Sequence, residues 1–185
     1  MSKGFLEGER LFLRPFQEDD IDTWFRWFND ADVTRHMEQG RFPNTAHRQR
    51  EYLQRLSAST GDIQLAIIAN DECRLIGTVG LHTIDYINRN ADLSIVIGEK
   101  AHWGNGLGTE AIRLMLSHAF GALNLHKITS GMVANNEASA RAFLRLGFRR
   151  EGLMREQVFL NGAYCDVIRL GLLKSDYVPS QARRA

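Results

Sequence analysis

The stretch Trp103-Gly104-Asn105-Gly106-Leu107-Gly108-Thr109-Glu110-Ala111 lies between an apolar, strand-like run and an amphipathic helical pattern. Three glycines in five positions let the backbone turn at positive φ and bring its N–H groups close to a ligand. The helix that follows adds N–H groups without internal partners and the positive end of its dipole. The stretch therefore predicts a loop that holds a pyrophosphate, and we call residues 103–109 the cradle.

Two other kinds of phosphate loop do not match the cradle. A P-loop requires Gly-Lys-Ser/Thr after the loop, whereas this chain has Gly108-Thr109-Glu110. A dinucleotide-binding fingerprint requires a third glycine at the position of Thr109. A glycine turn that merely begins a helix stays open as an alternative, because such turns are common.

Length and composition limit the fold and the partners. With 185 residues and 44% hydrophobic content, the chain is expected to form a single domain over residues 1–185, with a core at about 8–175 and a tail at 176–185. The net charge is +1, and basic residues alternate with acidic ones instead of clustering. This pattern argues against a nucleic-acid partner.

Targeting segments and metal motifs are not evident in the sequence. Residues 1–7 contain no apolar core of signal-peptide length, and no stretch reaches the roughly 18 apolar residues of a membrane span. We therefore expect a cytoplasmic protein with no membrane partner. Cys73 and Cys165 lack Cys-x-x-Cys spacing and the histidines form no His-Glu-x-x-His motif, so we expect free thiols and no metal.

Hydrophobic periodicity predicts strands and helices along the whole chain. Alternation predicts strands at 9–15, 63–69, 75–84, 91–97 and 126–133, and a final hairpin that turns at Asn161-Gly162. Helical spacing predicts helices that begin at Asp19 and Asp20, at Pro43-Asn44-Thr45, after the cradle, and at Asn135-Asn136, the last ending at Leu146-Gly147. The order β-α-α-β-β-β-α-β-α-β-β predicts a mixed sheet covered by helices.

Several short motifs, taken in this order, resemble those of the GNAT superfamily of N-acetyltransferases. The resemblance is to the bacterial branch that contains ribosomal-protein N-terminal, polyamine and amino-sugar acetyltransferases, and it covers nearly the whole chain. The cradle matches Gln/Arg-x-x-Gly-x-Gly/Ala, except that Trp103 replaces the first polar residue. Four further segments look like this branch: Asn88-Arg89-Asn90-Ala91-Asp92, Asn124-Leu125-His126-Lys127-Ile128, Leu146-Gly147-Phe148 and Asn161-Gly162-Ala163-Tyr164.

The resemblance implies an α/β fold of mixed α+β type. Its mostly antiparallel, seven-stranded sheet would have splayed parallel central strands, here 93–97 and 126–133, and about four flanking helices. Acetyl-CoA would be the co-substrate and would lie between the splayed strands. The implied contacts are Ile95, Val96 and Ile97 for the pantetheine arm, Trp103, Gly104, Asn105, Gly106, Leu107, Gly108 and Thr109 for the pyrophosphate, and Asn136, Ser139 and Phe143 near the thiol. Asn136 and Ser139 have the alternative role of capping a helix.

Acetyl transfer from a thioester to an amine requires a neutral amine, donors for the oxyanion and a proton for the leaving thiolate. Many relatives supply that proton from a tyrosine, but this chain has Phe143 at the matching position. We therefore expect proton return through Ser139 or a water, beside Asn136. Asp92 is predicted to bind the amine or relay a water, with a structural salt bridge as the alternative, and His82 is an alternative base.

The acceptor is predicted to be a small-molecule or peptide amine. Polyamine acetyltransferases look acid-lined along the strand before Asp92, whereas this chain has Gly80 and Thr83 there. Deprotonating a lysine-like amine at pH 7 costs about 4.6 kcal/mol, whereas an α-amine costs only about 1 kcal/mol. We therefore expect a single amine of low pKa, on a protein N-terminus or an amino sugar, with a spermidine-type polyamine as the alternative.

Two other functions fit part of the pattern. Because Phe143 cannot donate a proton, the chain could be a non-catalytic acyl-CoA-binding module. An enzyme that acts on nucleotide phosphates is a third hypothesis. An exposed strand edge in the terminal hairpin would permit a homodimer.

Overall fold

The computed structural model describes residues 4–39, 41–42 and 44–179. Within them, eight strands form one sheet in the order β1-β2-β3-β4-β5-β6-β8-β7. The strands are β1 Leu6–Glu7, β2 Leu11–Pro15, β3 Ile63–Ala69, β4 Arg74–Asp85, β5 Asn90–Ile97, β6 Lys127–Val133, β7 Arg149–Leu160 and β8 Ala163–Leu173. The helices are α1 Ile21–Phe28, α2 Ala31–Thr34, α3 Ala46–Ala58, α4 Leu107–Phe120 and α5 Glu137–Arg145. Pro43, predicted to begin a helix, and residues 180–185 of the predicted tail lie outside the described residues.

The sheet is mixed and mostly antiparallel, as predicted. Every neighbouring pair of strands is antiparallel except β5 and β6, which run parallel. The predicted seven strands become eight because β1 folds back on β2, pairing Leu6 with Leu13 and Glu7 with Phe12. A strand of two residues is too short to show alternation in the sequence. The one-turn helix α2 was missed for the same reason.

Local turn chemistry follows the prediction, with one difference at the start of α1. Gly147 ends α5 at φ +98°, and Asn161 and Gly162 both have the positive φ that a type I′ turn requires. Asp20 precedes α1 as predicted, but its side chain does not cap that helix. Its carboxylate instead accepts two hydrogen bonds from Arg14, at 2.6 and 2.9 Å. A bidentate charged pair is stronger than a bond to one backbone N–H, so the carboxylate turns towards β2.

The sheet has apolar side chains buried on both faces. One face packs against α4 and α5 and buries Leu93 and Met115. The other face packs against α1 and α3 and buries Trp24 and Ile68. None of the described helices combines the length and the apolar character needed to cross a membrane. Since side chains alternate along a strand, polar residues between the core positions of β4 and β5 point towards α1 and α3.

The parallel strands β5 and β6 separate after a short paired region. The third and last ladder pair joins Asp92 to Thr129. The hydroxyl of Ser130 then donates to the carbonyl of Leu93 at 2.8 Å. Beyond this point, no ladder pair joins the described residues of the two strands. The strands are therefore splayed, as predicted, and a gap opens in the middle of the sheet.

The contact between Gly98 and Trp27 yields a stability prediction. A Cβ on Gly98 would overlap the indole of Trp27, which is buried and donates from Nε1 to Glu99 at 3.0 Å. We expect Gly98→Ala to lower the free energy of unfolding by about 1–3 kcal/mol, measured by urea denaturation, because overpacking strains the core. Gly152→Ala is the matched control, since open space surrounds its Cβ position. Equal stabilities of the two variants would contradict this account.

Candidate active site

The cradle presents backbone N–H groups at the start of α4. Gly104 and Gly106 have φ of +76° and +79°, and Gly106 is the N-cap of the helix. The first internal bond of α4 runs from Glu110 N–H to the Gly106 carbonyl at 3.1 Å. Among the described residues, none accepts a hydrogen bond from the amides of 104–109. These amides, with the helix dipole behind them, form a site for an anion.

A partly buried ion pair between Arg10 and Glu110 supports the cradle. Glu110 is 8% exposed, and its carboxylate accepts from the side chain and the backbone N–H of Arg10, at 2.8 and 2.9 Å. The Arg10 guanidinium also donates to the carbonyl of Asn105 at 2.8 Å. The arginine thus fixes one cradle carbonyl and neutralises the Glu110 carboxylate in the first turn of α4. No local sequence pattern marks this pair, because its members are far apart in the chain.

Trp103 closes the cradle onto the end of β5. Its indole Nε1 donates to the carbonyl of Ile97 at 2.7 Å. This is the position at which the family pattern has a polar side chain. The indole ring lies at the surface and contributes to the wall of the neighbouring cavity.

Two cavities meet at the gap between β5 and β6. The cradle cavity, of about 690 Å³, lies between the cradle, the end of β5 and α5. The sheet cavity, of about 610 Å³, lies between α1, α3 and the facing side of β3 to β6. The residues that line both are His36, Met37, Ile95, Val96, Asn136, Ser139 and Phe143. Two ligands, one in each cavity, would therefore meet at these residues, which we call the junction.

Most of the predicted cofactor-binding residues line the cradle cavity. They are Ile95, Val96, Ile97, Trp103, Gly104, Gly106, Gly108, Thr109, Asn136, Ser139 and Phe143. Asn105 and Leu107 are not among its lining residues. The Leu107 side chain is buried in the core, and the side-chain amide of Asn105 donates to the carbonyl of Ala101 at 3.4 Å. These two residues would contribute through their backbone alone.

Asn136 and Ser139 lie at the junction and also form a helix cap. The Asn136 side chain accepts a hydrogen bond from Ser139 N–H at 3.2 Å, as the capping alternative predicts. Phe143 lies one turn after Ser139, is 1% exposed and packs edge-to-face on Phe148. Its ring offers no proton donor, and Ser139 carries the hydroxyl closest in sequence to that position.

Asp92 lines neither cavity. Its carboxylate accepts from Arg169 at 2.8 Å and from the hydroxyl of Thr129 at 3.0 Å, where β5 and β6 are still paired. Both partners occupy the same carboxylate oxygen. This geometry supports the structural salt bridge, the alternative that the sequence left open, over contact with the amine.

His82, the alternative base, lies in the wall of the sheet cavity. Its Nε2 is 2.8 Å from the hydroxyl of Ser94, which also lines that cavity, and its Nδ1 is 3.5 Å from Asp62. Partial burial raises the pKa of Asp62, but hydrogen bonds from Ser59 and Thr83 and the contact with His82 lower it by more. The carboxylate beside the imidazole is therefore ionised at neutral pH.

His36 is a junction residue that sequence analysis did not identify. It lies in an irregular segment after α2, where no periodicity marks a functional residue. Burial and the neighbouring charge of Arg35 lower the pKa of His36 below its usual value, and a hydrogen bond with Asn135 partly opposes them. The imidazole is therefore neutral at pH 7 and can both donate and accept a proton.

The sheet cavity carries little negative charge. Among the described residues that line it, Glu38 is the only carboxylate. Arg41 lies 3.6 Å from Glu38, and Arg48 also lines the cavity. In the described part of the chain, no group of three His, Cys, Asp or Glu residues is arranged to hold a metal ion.

The sequence is similar to known acetyltransferases over most of its length. A family model described as "Acetyltransferase (GNAT) domain" matches residues 10–149. The uncharacterized N-acetyltransferase YoaA of Bacillus subtilis (strain 168) is 32% identical over 171 residues, which cover 91% of this chain and 96% of that protein. A spermidine N(1)-acetyltransferase of Vibrio cholerae is 36% identical over 112 residues, or 60% of this chain and 64% of that protein.

The fold is similar to that of solved acetyltransferases. The crystal structure of spermidine N-acetyltransferase from Vibrio cholerae in complex with CoA and spermine has a TM-score of 0.85 and 27% identity, and covers 92% of this chain and 99% of that chain. A GNAT-family acetyltransferase from Bacillus anthracis has a TM-score of 0.80 at 22% identity, which shows the shared fold.

The buried histidines predict how stability depends on pH. The pKa values of His36 and His118 are both lowered by burial, so the unfolded chain binds more protons than the folded one below about pH 6.5. The free energy of unfolding should therefore fall as the pH drops below that value. We expect His36→Gln to flatten this fall in urea titrations between about pH 5 and 7.5.

The exposed His47, on α3, provides the control for this titration. Because the His47 side chain is 80% exposed, His47→Gln should change the pH dependence less than His36→Gln does. If His36→Gln and the wild type gave parallel curves, burial of the junction histidine would not be the source of the effect.

Proposed function

The chain belongs to the GNAT family of acetyltransferases, and we propose that it transfers the acetyl group of acetyl-CoA to a single primary amine, on a protein N-terminus or an amino sugar. GNAT acetyltransferases use acetyl-CoA as the donor. The observation that carries the proposal is the gap between β5 and β6, which opens beside the unpaired amides of the cradle. A donor lying in the cradle cavity and an amine lying in the sheet cavity would meet at the junction.

The proposed donor site matches the chemistry of coenzyme A. The amides of 104–109 would bind the diphosphate. Backbone groups of β5 from Ile95 to Ile97, other than the Ile97 carbonyl that accepts from Trp103, would bind the amide groups of the pantetheine arm. Arg35, Arg141 and Arg145 also line the cradle cavity. Asp32 and Glu137 lie in the same wall, and Glu137 accepts from Arg141 at 2.8 Å, so the three arginines outnumber the two carboxylates by one. This excess of positive charge suits a ligand with several phosphate groups.

The proposed reaction is a direct attack of the neutral amine on the thioester carbonyl. The side chains at the junction would position the two reactants and donate hydrogen bonds to the developing oxyanion. Ser139, or a water beside it, would return a proton to the thiolate. Because a thiol with a pKa near 8.5 is a good leaving group, this step requires less acid assistance than departure of an alkoxide.

The charges of the sheet cavity support a single amine as the acceptor. A polyamine with several positive charges requires several carboxylates, but Glu38 is the only carboxylate among the described lining residues, and Arg48 lies in the same wall. Gly80 and Thr83 stand where an acid-lined strand would carry acids. A spermidine-type acceptor is the second candidate, because of the similarity to the Vibrio cholerae spermidine N(1)-acetyltransferase.

A substitution in the cradle tests the donor site. An alanine at Gly106 would be strained at φ +79° by about 1–2 kcal/mol, and the cradle amides would shift. We expect Gly106→Ala to weaken coenzyme A binding about tenfold or more in calorimetric titration. Gly162→Ala has the same kind of strain at the hairpin tip, at φ +83°, and should bind as the wild type does. Equal affinities of the two variants would contradict the cradle assignment.

A panel of amines tests the acceptor. We expect a higher kcat/KM for a peptide α-amine or a hexosamine than for spermidine, measured by release of the free thiol from acetyl-CoA. The physical reason is the shortage of carboxylates in the sheet cavity together with the smaller cost of deprotonating an amine of low pKa. A higher kcat/KM for spermidine would overturn this preference. Binding of acetyl-CoA without transfer to any amine would support a non-catalytic module.

A further inference from the structure

The geometry points to a proton relay of Ser94, His82 and Asp62 in the wall of the sheet cavity. Ser94 would contact the acceptor amine, His82 would take its first proton, and Asp62 would act as a positioning residue for the imidazole. This inference rests on the proposed function, because it names the groups that make the acceptor amine nucleophilic.

The three side chains connect the cavity to the solvent side of the sheet. Ser94 pairs with Gly80 across β4 and β5, so its side chain shares a face with that of His82, two residues along. The imidazole Nε2 lies 2.8 Å from the Ser94 hydroxyl, and Nδ1 lies 3.5 Å from the Asp62 carboxylate. The side chains of His82 and Asp62 are 25% and 35% exposed. A proton that enters at Ser94 can therefore leave to solvent at the other end.

A strained bulge fixes the position of the histidine. The register of β4 against β5 shifts between His82 and Asp85, and Thr83 has φ +49°, which a β-branched residue rarely adopts. Asp62 accepts from Thr83 N–H at 3.1 Å, in addition to its contact with His82. The Asp62 carboxylate thus contacts both the backbone of the bulge and the imidazole of His82. Strain of this kind is concentrated at functional sites, where the surrounding structure maintains it.

Gly80 provides the space that the imidazole occupies. A Cβ at this position would lie 3.1 Å from His82 Nε2 and 2.9 Å from the side-chain oxygen of Gln64. The absence of a side chain at Gly80, which argues against a polyamine acceptor, therefore favours the relay. It leaves room for a ring nitrogen to reach the Ser94 hydroxyl.

The ammonium group of the acceptor loses two protons as it becomes an amide. The ammonium group of the acceptor gives one proton to Ser94 Oγ as Ser94 gives its own proton to His82 Nε2. The freed nitrogen lone pair forms the N–C bond, the C–S bond breaks, and its electron pair goes to sulfur. A second proton passes from nitrogen to the thiolate through Ser139 or water. The imidazolium, stabilised by Asp62, then releases its proton to solvent.

Other ionisable groups face the relay from neighbouring elements. Asp92 lies directly opposite His82 on β5, and Tyr52 faces Asp62 from α3. Glu38 and Arg48 line the same cavity. Their titration would contribute to any pH profile, so the test compares variants with the wild type under the same conditions.

The test measures kcat/KM against pH for the best amine of the panel and for a series of amines of graded pKa. We expect His82→Gln to lose about 10²-fold or more in kcat/KM, the size typical for a general base. The loss should shrink as the pKa of the amine falls, because a neutral amine does not require the relay. Ser94→Ala and Asp62→Asn should show the same trend with smaller losses. Added imidazole should restore part of the activity of His82→Ala.

Matched measurements separate this inference from the proposed function. Ser57→Ala removes a hydroxyl that bonds only within α3, to the carbonyl of Leu53, and should keep wild-type activity. Relay variants should bind coenzyme A with unchanged affinity, which also verifies that they fold. Equal losses for every amine, whatever its pKa, would overturn the relay. Absence of transfer by the wild type to any amine would instead overturn the proposed function.

Discussion

The separation of β5 from β6 is the constraint on which the site depends. A strand in the middle of a sheet normally has partners on both sides, and unpaired backbone groups away from water are costly. Here the ladder ends at Asp92 and Thr129, and Ser130 satisfies the Leu93 carbonyl with its side chain. Beyond this point, β5 keeps its bonds to β4 and has a free edge towards β6. That edge can bind an extended ligand containing amide groups.

The cradle depends on a second constraint, which is the positive φ of its glycines. Gly104 and Gly106 turn the chain so that several N–H groups remain unpaired at the start of α4. An exposed, glycine-rich loop keeps one conformation only if side chains from other elements form hydrogen bonds with it. The pair of Arg10 and Glu110 does so, and it joins the residue before β2, the cradle and α4 by hydrogen bonds. In the proposed donor site, the cradle amides would thus be in position before any ligand binds, which would lower the cost of binding.

The two cavities differ in charge, and this difference bears on how the acceptor amine is deprotonated. The described lining of the cradle cavity contains three arginines and two carboxylates, whereas that of the sheet cavity contains one arginine and one carboxylate. Without further carboxylates, the sheet cavity offers little attraction to an ammonium ion. The proposed reaction therefore requires a group that removes a proton from the acceptor amine. The imidazole of His82, held between Ser94 and Asp62, lies where such a proton could be accepted. Phe143 makes the return of the second proton depend on Ser139 or water.

The sequence by itself determined most of the strands and helices, the glycine turn of the cradle and the hairpin at Asn161-Gly162, because periodicity and turn chemistry depend on residues close together in the chain. The family followed from the resemblance of several short motifs to those of the GNAT superfamily. The two-residue β1 and the one-turn α2 were too short for such a signal. Only the tertiary structure decided that Asp92 is paired with Arg169, that Glu110 anchors the cradle, and that His36 reaches the junction. These contacts join residues from separate elements, and their geometry is set by how the sheet twists and the helices pack. No local pattern in the chain records that geometry.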